Sequence, residues 1–169
     1  FVFHDSRENR WIAARDHFGI KPLYFAQSDG ELIFASEIKS LLAHPGIKPE
    51  CDQKGLRQYM SFQFCLGDQT LFDGIRKVLP GHYLTGHGST IEVDMLYWSP
   101  SYQIDYDHTE AWFKDELIGL LQDSMRLQVR ADVPIGAYLS GGIDSSLVSS
   151  LASRHLDTPM PMFHGRFSE

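Results

Sequence analysis

Apolar and polar positions alternate through the first third of the chain, the period of half-buried strands. Residues 1–4 and 11–15 flank the polar run Asp5-Ser6-Arg7-Glu8-Asn9 and predict a hairpin. Residues 23–26 and 32–35 flank Ser28-Asp29-Gly30 and predict a second. The pattern then lengthens to a helical one. A short helix is predicted over 37–43, with Ser36 as its cap and Pro45-Gly46 as its stop. Leu56, Tyr59, Met60 and Phe62 predict a second helix over 53–63. Alternation returns at 78–84, followed by a turn at Gly86-His87-Gly88-Ser89 and a return strand over 91–95.

Residues 99–108, rich in Ser, Pro, Asp and Tyr, read as a linker between a first part, 1–98, and a second, 109–169. Past it, Phe113, Leu117, Leu120, Leu121 and Met125 recur at helical spacing within 110–130, with Thr109 as the cap. That stripe is expected to be core. Ile135-Gly136-Ala137-Tyr138-Leu139 reads as a buried parallel strand, residues 146–152 as a helix, and 162–167 as a second strand. Helix, strand, loop, helix, strand is the beginning of a parallel α/β domain. Both ends of the chain fall inside predicted strands, so the sequence is expected to be a piece of something longer.

The loop Ser140-Gly141-Gly142-Ile143-Asp144-Ser145-Ser146 joins the first of those strands to its helix. Two glycines without Cβ let backbone N–H groups close on an anion. Ser140, Ser145 and Ser146 add hydroxyls, and the helix N-terminus adds partial positive charge. Asp144 would repel phosphates unless a divalent cation lies between, so it reads as a Mg²⁺ contact. An ordinary turn, with Asp144 or Ser145 capping the helix, is the plainer alternative. No Lys follows the glycines, so this is not a Walker A loop; it resembles the loop of the ATP pyrophosphatases.

Composition narrows the partners. Fifteen basic against twenty-two acidic residues give a net charge of −7, which argues against nucleic acid and against an anionic membrane. No apolar run reaches the length of a membrane span and none resembles a signal peptide. Cys51 and Cys65 are too few for a disulfide framework, which favours a reduced, cytoplasmic setting. The eight histidines lack metal-site spacing. Trp11, Trp98 and Trp112 read as packing residues. Arg15-Asp16, before a Gly-Ile-Lys-Pro turn, reads as catalytic or, preferably, as a structural ion pair fixing that turn.

Several segments resemble the glutamine-hydrolysing asparagine synthetase family. Arg15-Asp16-His17-Phe18-Gly19-Ile20-Lys21-Pro22-Leu23-Tyr24 is similar to the R-D-x-x-G-I-K-P-L-Y segment of its glutaminase domain. Ala35-Ser36-Glu37-Ile38-Lys39-Ser40-Leu41 is similar to its A-S-E-I-K-A-L segment. Thr70-Leu71-Phe72-Asp73-Gly74-Ile75 and Leu79-Pro80-Gly81-His82-Tyr83-Leu84 resemble the connection toward the synthetase domain, whose pyrophosphate loop resembles residues 139–146. Amidophosphoribosyltransferases share the first segment but not the loop, and other pyrophosphatases the reverse; the order of both on one chain is the specific signal.

The resemblance implies α+β followed by α/β. The first part would be the C-terminal half of an Ntn-type glutaminase sandwich. The second would open a parallel-sheet domain like the adenine-nucleotide α-hydrolases. It implies glutamine, aspartate and ATP as substrates, Mg²⁺ as cofactor, and β-aspartyl-AMP as intermediate; it is compatible with a homodimer. Carried over by motif, Ser140, Gly141, Gly142, Asp144, Ser145 and Ser146 would hold pyrophosphate and Mg²⁺. Leu139 and Gly165 would touch the nucleotide at the two strand ends.

No catalytic residue is expected within 1–169. The family's nucleophile is an N-terminal cysteine whose own α-amine is the base, and the amide nitrogens of Cys51 and Cys65 have no such basicity. Its glutamine-binding residues correspond to positions before Phe1, and its S-G-E-G-x-D-E segment to positions after Glu169. Leu79 in place of a proline, and His164-Gly165-Arg166-Phe167, depart from the family pattern. Paralogues that amidate other carboxylates in surface-polymer or peptide pathways are one alternative, and a non-catalytic nucleotide-binding remnant is another.

Overall fold

The computed structural model describes residues 1–165. Two compact units divide the chain, Phe1–Tyr102 and the segment from Gln103 onward. The first unit runs β1 (Val2–Asp5), β2 (Arg10–Ala14), β3 (Tyr24–Ser28), β4 (Glu31–Ala35), α1 (Ile38–Leu41), α2 (Gln53–Phe62), β5 (Ile75–Lys77), β6 (His82–His87) and β7 (Thr90–Leu96). The second runs α3 (Glu110–Gln128), β8 (Ala137–Tyr138), α4 (Ile143–Ser153) and β9 (Met162–Phe163).

Two antiparallel sheets build the first unit, ordered β1-β2-β6-β7 and β4-β3-β5. Strand alternation sorts the side chains into two clusters. Trp11, Ala13 and Leu84 from the larger sheet meet Leu23 and Val78, with Phe25, Leu32 and Phe34 of the smaller sheet packed against them. On the other face of the smaller sheet, Ala26 and Ile75 pack with Leu41 and Ile47, joined by Ile33 and Ala35. The two-residue turn Asp29-Gly30 has positive φ at both positions, the geometry whose twist matches a hairpin. Mixed α/β with antiparallel sheets is the architecture expected for a glutaminase domain.

Three local expectations change. The helix expected over 37–43 is a single turn, and Ser36 does not cap it. Glu37 occupies the cap position with extended backbone and no capping side-chain bond, its carboxylate held instead by Lys39 at 2.6 Å. The third turn tightens to Gly88-Ser89, because β6 continues through His87 past an irregularity at Thr85/Gly86. Gly86 lies opposite Trp11, whose indole Nε1 donates to the Gly88 carbonyl at 2.8 Å. The second helix forms as expected, capped by Asp52, whose carboxylate accepts from the amides of Lys54 and Gly55.

In the second unit Thr109 caps α3, its Oγ accepting from the Trp112 amide at 3.3 Å. The apolar stripe of α3 is only partly core. Met125 is buried with Leu151 and Ala152 of α4, while Phe113, Leu117 and Leu120 are exposed. Length explains this: at 1.5 Å per residue α3 extends about 28 Å and α4 about 16 Å, so α4 covers one end. β8 and β9 pair in parallel, Ala137 with Met162 and Tyr138 with Phe163. The strand expected as buried is short and open, with Tyr138 87% exposed, since two parallel strands cannot cover both their faces. The second strand was expected to reach residue 167; Arg166 and Phe167 lie outside the described residues. No helix among the described residues is long and apolar enough to cross a membrane.

Candidate functional site

Parallel pairing puts the loop 140–146 at the carboxyl end of β8, where open parallel sheets present ligand crevices. Leu139 extends the ladder by one rung, its amide donating to the Phe163 carbonyl at 2.8 Å. The chain then turns through Gly141 at φ +85, a left-handed conformation with open space where a Cβ would project. Gly142 is the N-cap of α4 and has no side chain to satisfy the helix amides. The N–H groups of Ile143, Asp144 and Ser145 therefore begin α4 without intrahelical acceptors. Ile143 and Asp144 are exposed, and Ser145 is partly so. That is an open set of donors at the positive end of a helix dipole.

The hydroxyls do something different from the expectation that they face an anion directly. Ser145 Oγ and Ser146 Oγ donate to the Gly142 carbonyl at 3.1 and 2.8 Å. Ser140 Oγ lies 3.0 Å from Ser145 Oγ and accepts from the Gly142 amide at 3.4 Å. Together they brace the turn, leaving the backbone amides as the outward donors.

Asp144 is exposed in the first turn of α4, where a carboxylate also complements the dipole. Among the described residues no three His, Cys, Asp or Glu side chains group as a metal cage. One carboxylate beside an anion cradle fits a Mg²⁺ carried mainly by phosphate oxygens and water, and does not fit a resident zinc-type site. Gly165 lies two residues past β9 and is exposed. In the sequence His164 is marked only by its departure from the family pattern. In the structure its Nδ1 lies 2.7 Å from the Leu139 carbonyl oxygen, tying the end of β9 to the base of the loop.

In the first unit, Arg15 and Asp16 fix the following turn, though not by pairing with each other. The Arg15 guanidinium donates to the carbonyls of Lys21 (3.0 Å), Val78 (2.8 Å) and Gly19 (2.7 Å). The Asp16 carboxylate accepts from the amides of Ile20 and Lys21. The Lys21 amide, then that of Ile20, hold the Asp16 carboxyl below the usual carboxylate range, and the Arg15 charge adds least. Both residues border a cleft of ≈ 770 Å³, which Lys21, Phe34 and Tyr97 also line. Cys51 is an exposed free thiol and Cys65 a partly buried one, its Sγ near the Gly55 carbonyl. Trp11 is buried and Trp98 meets a tilted His17 ring and the Phe18 ring edge-on, as packing residues do; Trp112 lies over His108 with ring centroids 3.8 Å apart.

Two families match in tandem. The one described as "Glutamine amidotransferase domain" matches residues 1–98, and "Asparagine synthase" matches 116–169. Among curated proteins, Amidase chyE of Penicillium rubens is 38% identical over 157 residues, covering 90% of this chain and 23% of that protein. Asparagine synthetase (glutamine-hydrolyzing) 3 of Bacillus subtilis is 34% identical over 165 residues, covering 93% and 25%. A putative asparagine synthetase (glutamine-hydrolyzing) of Mycobacterium tuberculosis is 36% identical over 167 residues, covering 92% and 25%. The chain thus spans about a quarter of the length of these relatives.

Proposed function

We propose, from the premise that this chain belongs to the asparagine synthetase family, that it is part of a glutamine-dependent, ATP-consuming amide-forming ligase. Residues 1–98 supply part of an Ntn-type glutaminase domain, 99–108 a linker, and 109–169 the start of a synthetase domain of the adenine-nucleotide α-hydrolase kind. In the complete enzyme, glutamine hydrolysis yields glutamate and ammonia. A carboxylate, aspartate in this reading, attacks the α-phosphate of ATP and displaces pyrophosphate. Ammonia then attacks the acyl carbon of β-aspartyl-AMP, giving the amide and releasing AMP.

The observation that carries this reading is the loop at the end of β8, with three helix-start amides open, on the same chain as a glutamine amidotransferase domain. Its amides bond the β- and γ-phosphates, and the bond energy grows as charge moves onto the leaving pyrophosphate. The braced hydroxyls hold those amides in position, so little reorganisation accompanies the reaction. Asp144 would be the residue that holds a Mg²⁺, which when bound would supply positive charge to the leaving pyrophosphate. Leu139 and Gly165, at the strand ends, lie along the nucleotide.

A second reading keeps the chemistry and changes the acceptor. The Penicillium rubens relative is named an amidase, and Leu79 and His164 depart from the family pattern, so the acid activated by ATP need not be aspartate. The expected outcome of Asp144→Ala in the full-length protein is loss of pyrophosphate release with glutaminase activity retained. Pyrophosphate release at the parent rate would overturn the role given to Asp144. Release that depends on glutamine and ATP but on a carboxylic acid other than aspartate would select the second reading.

A further inference from the structure

We propose that His164 is a positioning residue for the loop 140–146: its imidazole takes the place of a backbone rung and aims the loop's first amide. The proposal rests on the reading of that loop as a pyrophosphate cradle. In a regular parallel ladder the Leu139 amide donates to the Phe163 carbonyl, as observed at 2.8 Å. The Leu139 carbonyl would then accept from the amide of Gly165. Here it lies 2.7 Å from His164 Nδ1 instead. A carbonyl oxygen only accepts, so Nδ1 carries the hydrogen, and in the neutral ring Nε2 keeps its lone pair.

The consequence follows from peptide geometry. The bond between Leu139 and Ser140 is planar and trans, so the Leu139 C=O and the Ser140 N–H point in opposite directions. Holding the carbonyl toward β9 turns the Ser140 amide away from it. Ser140 is also where the hydroxyl brace begins, through Ser145 at 3.0 Å. One imidazole therefore secures the N-terminal end of a loop whose other end is already fixed by α4. Gly141, free of any neighbour within 4 Å of its Cβ direction, cannot restrain that end by packing.

The test uses the full-length protein and three substitutions. His164→Ala removes the donor, His164→Phe keeps a ring without it, and His164→Asn restores an N–H close to the Nδ1 position. Calorimetry with magnesium pyrophosphate should show binding about ten-fold weaker for the Ala and Phe variants, the scale of one net hydrogen bond, and a return toward the parent for Asn. KM for ATP should rise by a similar factor, with KM for glutamine in the glutaminase reaction unchanged. A long-range ¹H–¹⁵N correlation on the parent should show His164 as the Nδ1–H tautomer. Parent-like pyrophosphate binding by His164→Ala, a Phe variant as good as Asn, or the Nε2–H tautomer would each overturn the positioning role. A parent protein that binds neither pyrophosphate nor ATP would instead overturn the reading of the loop, and this proposal with it.

Discussion

Replacing Arg15 tests how the first unit holds the irregular connection between β2 and β3. The guanidinium makes three bonds to carbonyls, two of them in partly buried surroundings, at Val78 and Gly19. Sheltered bonds from a charged donor contribute about 1.5–3 kcal/mol each net to stability, but the Lys21 bond is exposed and water can replace it. Counting the two sheltered bonds at the low end gives a cost of about 3 kcal/mol for Arg15→Ala. Lys is the discriminating substitution. A single ammonium cannot span three carbonyls that a planar fork reaches together, so Arg15→Lys should still cost about 2 kcal/mol. Were the residue an ion-pair partner of Asp16, Lys would serve almost as well. Urea unfolding read by tryptophan fluorescence, in a Trp112→Phe background, reports on the first unit alone through Trp11 and Trp98. With a urea slope of about 2 kcal/mol/M the Ala variant's midpoint should fall by about 1.5 M. An Arg15→Lys midpoint indistinguishable from the parent refutes the fork argument.

Gly86→Ala should destabilise the first unit by at least about 2 kcal/mol, because the added Cβ meets the Thr90 carbonyl and comes within 2.5 Å of the Trp11 ring; a melting temperature unchanged by the substitution would contradict this. Asp16 makes a pH prediction. Its folded-state pKa lies below the unfolded value, so the unfolded chain binds more protons between the two, and the stabilisation is present above about pH 4 and lost as pH falls through the folded value. Asp16→Asn should therefore lose less stability than the parent on acidification below about pH 4, and equal slopes in acid-titrated urea melts would count against it.

The hairpins were legible because each rests on a local signal: Asp29-Gly30 demands positive φ, and alternation over 32–35 sorts Leu32 and Phe34 to one face and Ile33 and Ala35 to the other. The loop 140–146 was legible for the same reason, its glycines and hydroxyls being adjacent in sequence. What escaped depends on partners distant along the chain. The core role of Leu117 and Leu120 was read from periodicity, yet burial needs a second surface, and α4 is too short to supply it. Arg15 beside Asp16 suggested an ion pair, but past the end of β2 each found backbone groups instead, Arg15 the carbonyl of Val78 and Asp16 the amide of Ile20. His164 is 25 residues from the carbonyl it reaches, and no spacing rule connects the two before β8 and β9 are paired.

The proposed chemistry asks an acidic chain to grip a polyanion, and the loop suggests how charge is managed. With a net charge of −7, the chain gains nothing from long-range attraction. A lysine in the loop would supply local charge, but none is there. Backbone amides at the start of α4 offer directed partial charge without adding an ion that must be kept solvated when the site is empty. Their strength depends on fixed geometry, which a left-handed Gly141, two hydroxyls bonded to one carbonyl and an imidazole on Leu139 each help to hold. In the proposed function Asp144 would be the counterpart of Mg²⁺: alone it would raise the energy of bound phosphate, whereas with the cation bound the same carboxylate would favour the magnesium complex over free nucleotide. On the proposed function, discrimination for the magnesium form and preorganised neutral donors would be two consequences of one short loop, and a substitution at either the brace or the carboxylate should disturb one without abolishing the other.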